Sequence, residues 1–145
     1  MMQSNDIIAV VVWYNPNATH AHNLMSYAHV VRHVVVVDNS INDHSPLLQE
    51  MSDNLTYIPL HDNFGIAHAL NIGCNMAVQM GAQWILTMDQ DSQWQTGQLE
   101  HYIHTANNYP SIEQVGVFSP RQVYGKGCVK QTSIYEEKIG VMTSG

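Results

Sequence analysis

Two runs of the chain are continuously apolar and β-branched, Ile7 to Val12 and Val34 to Val37, and polar residues follow each of them. A strand with one wet face alternates polar and apolar positions, whereas a strand covered by helices on both faces stays apolar throughout. Both runs are therefore expected to be central strands of a parallel sheet. Between them Leu24, Tyr27, Ala28 and Val31 recur at helical spacing, behind the turn-forming stretch Asn15-Pro16-Asn17 that suits a helix start. The combination reads as a βαβ unit.

The alternation continues downstream. A short helix is expected around Pro46 to Met51, a strand near Thr56 to Leu60, and a helix from about Ile66 to Met80 with Ile66, Leu70, Gly73, Ala77 and Met80 as its buried stripe. Gly81 suits a helix stop, and Trp84 to Met88 reads as the next strand. Gly97 to Asn107 follows as a helix with Leu99, Ile103 and Ala106 inward, then Val115 to Phe118 as a further strand. Strands that alternate with helices in this way imply an α/β fold joined by right-handed crossovers. Beyond Ser119-Pro120 the pattern loosens around Gly125 and Gly127, and the sequence stops at Val141-Met142-Thr143-Ser144-Gly145, an apolar, strand-like segment with no polar tail. Such an ending is expected in the middle of a domain, so residues 1–145 read as a single domain that is the N-terminal portion of a larger unit.

With 145 residues, 45% of them hydrophobic, the chain is long enough to bury one core. Its formal net charge is −7, from 5 Lys and Arg against 12 Asp and Glu. A nucleic-acid partner needs clustered cations, so charge argues against one. For the same reason the diphosphate of a ligand would need a bridging cation. The two cysteines, Cys74 and Cys128, are too few for a disulfide framework and lack C-x-x-C spacing. Met1 to Asp6 carries no basic segment, and Ile7 to Trp13 is too short for a signal peptide or a membrane span, which makes the cytoplasm the expected compartment. The nine histidines do not supply a zinc motif of paired histidines with an added Glu, and His61 and His68 are read as structural.

In open α/β sheets, ligands bind outside the carboxyl ends of the strands, so the residues that follow each strand form the candidate site. Four polar segments qualify: Trp13-Tyr14-Asn15-Pro16, Asp38-Asn39-Ser40, His61-Asp62-Asn63-Phe64-Gly65 and Asp89-Gln90-Asp91-Ser92. Asp89 and Asp91 are two apart, hence on one side of a strand, and a slight turn lets both approach one cation. Carboxylate oxygens suit Mg²⁺ or Mn²⁺, which keep waters and take a substrate's phosphates as further ligands. A bare D-x-D is also an ordinary solvated turn. Its position directly after Trp84 to Met88, beside three other polar strand ends, favours the metal site. Asp38 would accept a hydrogen bond from the imide N–H of uracil or thymine; alternatively Asp38 or Asn39 caps the following turn. Asn63-Phe64-Gly65, ahead of the small residues Ala67, Ala69 and Gly73, suits both tight helix–sheet packing and close approach of backbone to a ligand. Tyr14 either stacks on a base or packs.

Four segments, Val10-Val11-Val12-Trp13-Tyr14-Asn15-Pro16, Val35-Val36-Val37-Asp38-Asn39-Ser40, Asn63 to Gly73 and Trp84 to Ser92, together resemble family 2 glycosyltransferases with the GT-A fold. The resemblance covers roughly the first hundred residues, and the D-Q-D-S form is similar to that of the rhamnosyltransferases. It implies a Rossmann-like, three-layer α/β/α nucleotide-diphospho-sugar transferase fold with a mostly parallel sheet, here truncated. Residue by residue it implies that Val12 and Tyr14 border the nucleoside, Asp38 binds the pyrimidine, and Asn63, Gly65 and Asn71 shape the nucleotide pocket. Asp89 would contact ribose and metal, and Asp91 would ligate the Mg²⁺ or Mn²⁺.

The implied reaction is inverting transfer of a sugar, rhamnose by the resemblance, from a dTDP- or UDP-linked donor to a glycan or lipid-linked acceptor in cell-surface polysaccharide synthesis. It would take place in the cytoplasm at the inner face of the cell membrane, with peripheral membrane association of the full-length protein. In such enzymes a separate carboxylate deprotonates the acceptor hydroxyl, and it is expected beyond Gly145. Glu136 and Glu137 precede Thr143-Ser144-Gly145 and are not assigned that role. The expectation is therefore a fragment that binds nucleotide and transfers no sugar. Two other readings stand beside it: a non-catalytic nucleotide-binding domain, and a haloacid-dehalogenase-like phosphatase, which also carries two aspartates two apart after a parallel strand but places that strand early in the chain.

Overall fold

A computed structural model describes residues 1–51 and 53–120, so the segments around Gly125 and Gly127 and from Val141 to Gly145 lie outside the described residues. Strands and helices alternate as β1 (Ile7–Trp13), α1 (Ala18–Ala28), β2 (His33–Asp38), β3 (Leu55–Pro59), α2 (Ile66–Gln79), β4 (Trp84–Asp89) and α3 (Gln98–Asn107). All four strands are parallel, in the order β3-β2-β1-β4. The expected α/β class and central parallel strands are thus present.

Successive side chains of a strand point to opposite faces, and here both faces are covered. Ile8, Val10, Val35 and Val37 meet Ala69 and Ala77 of α2 on one side. Ile7, Ala9, Val11, Trp13, Val34 and Val36 meet Leu24 and Tyr27 of α1 and Leu99, Ile103 and Ala106 of α3 on the other. This is a three-layer α/β/α arrangement. Each fully buried valine contributes about 1.5–3 kcal/mol of transfer free energy, which is why the valine runs end up in the two middle strands.

Local chemistry sets the helix starts. Asn17 caps α1, its side-chain oxygen accepting from the N–H groups of Thr19 (2.9 Å) and His20 (3.2 Å). Gly65 precedes α2 with φ +87° and ψ 153°, a conformation open essentially to glycine alone.

Three expectations change. Of the expected stripe of α2, Gly73 and Ala77 are buried and Leu70 and Met80 are half-buried against the same core, but Ile66 is 66% exposed and Ala69 is buried in its stead. At Gly73 the helix lies too close to the sheet for a larger residue: a Cβ there would sit 2.4 Å from Val10 Cγ1 and 3.0 Å from Val37 Cγ2. The helix expected around Pro46 to Met51 is a 3₁₀ turn, Ser45–Leu48, because only Leu47, Leu48 and Met51 reach the core and no longer stripe exists to hold a helix. Val115 to Phe118 forms no strand beside β4, which is an edge strand among the described residues. Gly116 interrupts it, Val117 is exposed, and Phe118 anchors the segment by its ring alone, 5.9 Å from that of Trp84 and 5.8 Å from that of Tyr109. With one side chain to bury, nothing sets a strand register.

Gly73→Ala is expected to destabilise the protein by about 1–3 kcal/mol through overpacking against Val10 and Val37. Urea unfolding should show a lower midpoint at unchanged slope; an unchanged midpoint would mean that α2 rides away from the sheet at no cost.

Candidate functional site

The order β3-β2-β1-β4 reverses direction between β1 and β4, because the chain steps outward to β3 and then crosses back to the far side of β1. A crevice opens at such a switch point, at the carboxyl ends of the strands. Register fixes which residues border it: Trp13 pairs with Asp38 of β2, and Val12 pairs with Asp89 of β4. Adjacent strands are about 4.8 Å apart, so β2 and β4 flank β1 at a separation of roughly 10 Å, the span of a nucleoside.

The described residues bury few polar side chains, and Asn23, Asp38, Asn39 and Ser40 are among them. Burying polar groups is costly unless each is hydrogen-bonded. The triplet after β2 meets that demand by tying three neighbours together. Asp38 Oδ1 accepts from Ser40 N–H (3.1 Å), and Oδ2 accepts from the Tyr57 hydroxyl of β3 (2.6 Å) and from His44 Nδ1 (2.7 Å). Asn39 Nδ2 donates to Asn63 Oδ1 (2.9 Å), and Asn39 Oδ1 accepts from Phe64 N–H (2.9 Å). Ser40 Oγ accepts from Asn15 N–H (2.8 Å), reaching the loop after β1. The side chain of Asp38 is thus turned inward and caps its own turn.

The D-Q-D turn is built differently. Asp89, the last residue of β4, and Asp91 are both exposed, while Gln90 between them folds back over β1. Gln90 Oε1 accepts from Tyr14 N–H (2.8 Å) and Nε2 donates to Tyr14 carbonyl (3.3 Å), which prolongs the β1–β4 pairing through a side chain. The Gln90 carbonyl accepts from Asn23 Nδ2 of α1 (2.9 Å), Ser92 N–H donates to Asp89 carbonyl (3.1 Å), and Trp94 N–H donates to Ser26 Oγ (3.1 Å). Two free carboxylates are therefore presented on a turn whose backbone is held from β1 and from α1.

Around this crevice the backbone is strained. Asn15 and His61, which follow β1 and β3, have φ of 46° and 58°, and Gly65 has 87°. Left-handed non-glycine residues of this kind persist where surrounding structure over-determines them. Asn63 supports the loop, its Oδ1 accepting from Gly65 N–H (3.0 Å) as well as from Asn39. Tyr14 is half exposed, Val12 half-buried, and Asn71 exposed in the second turn of α2. Phe64 is exposed beside His68, with ring centroids 5.3 Å apart.

Among the described residues, charge at this end is negative. Arg32 is the only Lys or Arg among the described residues, and its guanidinium donates to the carbonyl of Met80 at the end of α2, away from the strand ends (2.7 Å). No group of three or more His, Cys, Asp or Glu that could hold a metal exists among the described residues. Asp89 and Asp91 supply two oxygen ligands only, which suits a cation that completes its shell with water and a ligand's phosphates.

The sequence signalled the four strand ends, Gln90 among them, but not the bracing role of Gln90, nor Asn23, Tyr57 or His44. Asn23 sits on the buried face of α1 between apolar neighbours, and Tyr57 inside a strand. Their partners lie 67 and 19 residues away, a separation that no local spacing reveals.

Comparison with known proteins supplies the rest. The family model described as "Glycosyl transferase family 2" matches residues 14–134. A protein of Shigella flexneri named dTDP-rhamnosyl transferase RfbF is 39% identical over 94 residues, a stretch covering 63% of this chain and 31% of that protein. The match to a transferase family displaces the haloacid-dehalogenase-like phosphatase reading. No solved structure matches significantly.

Asn39→Ala removes both bonds that hold the 61–65 loop to β2 and leaves Phe64 N–H without its acceptor. A loss of about 1–3 kcal/mol is expected, with the amides of Phe64 and Gly65 exchanging faster in hydrogen exchange while those of β1 keep their relative order.

Proposed function

The chain belongs to glycosyl transferase family 2, and we propose that its described residues form the donor site of an inverting rhamnosyltransferase acting on a dTDP- or UDP-linked sugar. The observation that carries this reading is the pair of exposed aspartates, Asp89 and Asp91, held on a braced turn at the switch-point crevice, with no Lys or Arg near them among the described residues. Among the described residues a diphosphate has no cationic side chain to meet there, and a divalent cation fits.

In this reading Val12 and Tyr14 border the nucleoside, Asp38 recognises the pyrimidine, and Asn63, Gly65 and Asn71 shape the pocket. Asp89 takes the ribose and the metal, and Asp91 the metal. When bound, Mg²⁺ or Mn²⁺ offsets the charge that develops on the departing nucleoside diphosphate. The chain's own contribution is orientation: Gln90 and Asn23 hold the turn, so that both carboxylates are in place before the donor arrives. The N–H groups at the start of α2, beside Gly65, face the same end of the sheet and favour negative charge.

Rhamnose as the sugar is supported by the similarity to the Shigella flexneri protein. The match covers 31% of that protein's length, and the acceptor is proposed as a glycan or lipid-linked sugar of a cell-surface polysaccharide. The base that deprotonates the acceptor is likewise proposed to lie outside the described residues. Among the described residues no helix is long and apolar enough to cross a membrane; the proposed setting is the cytoplasmic face, with peripheral membrane association.

Titration calorimetry with dTDP, UDP and GDP, each with and without Mn²⁺, tests the donor site. Metal-dependent binding of a pyrimidine diphosphate is expected, and Asp91→Ala should weaken it by at least about tenfold. Equal affinity with and without the cation would exclude the role given to the two aspartates.

A further inference from the structure

The three donors to the Asp38 carboxylate differ in how firmly each is held. Ser40 N–H belongs to buried backbone at the end of β2, and the Tyr57 hydroxyl to a strand of the sheet. Burial, and then the bond to Asp38, push the Tyr57 phenol well above its ordinary range, so it remains a donor. His44 instead sits on the turn that follows Ile41, Asn42 and Asp43, all exposed, and its own side chain keeps 19% exposure. Its Nδ1 lies 2.7 Å from Asp38 Oδ2, and because a carboxylate accepts, the ring nitrogen is the donor.

An imidazole N–H donating to a carboxylate offers the same group that the imide N–H of uracil or thymine would offer. Asp38 is fully buried, so a ligand reaches it only after a neighbour leaves. Of its partners, His44 is the one on an exposed turn. We propose that His44 is an internal placeholder for the base: it holds Asp38 in the nucleotide-free protein and yields it when a pyrimidine imide N–H takes its place. This rests on the reading that Asp38 recognises the base. The exchange replaces one N–H donor by another, so the buried carboxylate stays hydrogen-bonded at both ends of the step, while Tyr57 and Ser40 keep it oriented. Cytosine presents an acceptor at N3 in place of a donor, so its N3 cannot replace the imidazole N–H, and its 4-amino group is the one Watson–Crick-edge donor left to it. The placeholder is also a tax on affinity, because the binding-competent arrangement is only partly populated before the nucleotide arrives.

The experiment is titration calorimetry with Mg²⁺ on the full chain, using dTDP, dCDP and inorganic pyrophosphate. The unaltered protein should prefer dTDP to dCDP. His44→Ala should bind dTDP about three- to tenfold more tightly and pyrophosphate as before. Equal affinity for dTDP and dCDP in the unaltered protein would remove Asp38 from base recognition, and the placeholder with it. A preference for dTDP that survives while His44→Ala leaves dTDP binding unchanged or weaker overturns the placeholder alone. NMR of the unaltered protein provides a readout independent of the variant's folding: the His44 imidazole resonances should shift with dTDP and not with pyrophosphate, and indifference to dTDP also overturns the proposal.

Discussion

The C-terminal end of β2 couples a fully apolar strand to a fully buried polar triplet, and the rest of the site depends on that coupling. Val34 to Val37 need helices on both faces to leave water, and the same coverage encloses Asp38, Asn39 and Ser40. Enclosed polar groups must find partners, at a penalty of a few kcal/mol for any that fails. The three residues find them in three directions: β3 and the His44 turn, the entry to α2, and the loop after β1. One desolvation requirement thus joins the loops that border the crevice into a single hydrogen-bonded rim.

A different balance governs the other wall. Asp89 and Asp91 remain in water, where carboxylates are stable without partners, and the hydrogen bonds go to the side chain and carbonyl of Gln90 between them. Gln90 reaches β1 and Asn23 reaches from α1, so the turn is braced while its charges stay free. Opposite demands, burial for Asp38 and exposure for Asp89 and Asp91, follow from their strands. β2 is internal to the sheet, whereas β4 is an edge strand among the described residues. Electrostatics completes the picture: the cation among the described residues, Arg32, is engaged at the opposite end of the strands, so the described residues at the carboxyl ends offer acids and backbone N–H groups.

Close packing gives the crevice its floor. Ala69, Gly73 and Ala77 let α2 lie against Val10 and Val37, which brings its N-terminal turn, with Gly65 in a conformation only glycine tolerates, to the carboxyl ends of the strands. Larger residues on that stripe would lift the helix and its loop away from the rim that Asn39 holds.

The amino-acid sequence by itself determined the strands, their parallel arrangement, and the polar segments after each of them, because continuous apolar runs, helical spacing and a D-x-D at a strand end are local patterns. It also carried the family resemblance, since four short motifs keep their order and spacing whatever lies between them. It placed Gly73 and Ala77 correctly on the buried face of α2 but misjudged Ile66, which points to water, and passed over Ala69, which meets the sheet, because hydrophobicity ranks side chains while interlayer distance selects them by size. It overextended the sheet to Val115–Phe118, because apolar residues promise burial without saying which surface supplies it. Only the tertiary structure decided that Asp38 turns inward to His44 and Tyr57 while Asp89 and Asp91 turn outward. Orientation and burial of a carboxylate depend on partners far away in the chain, and those are set by strand order and register.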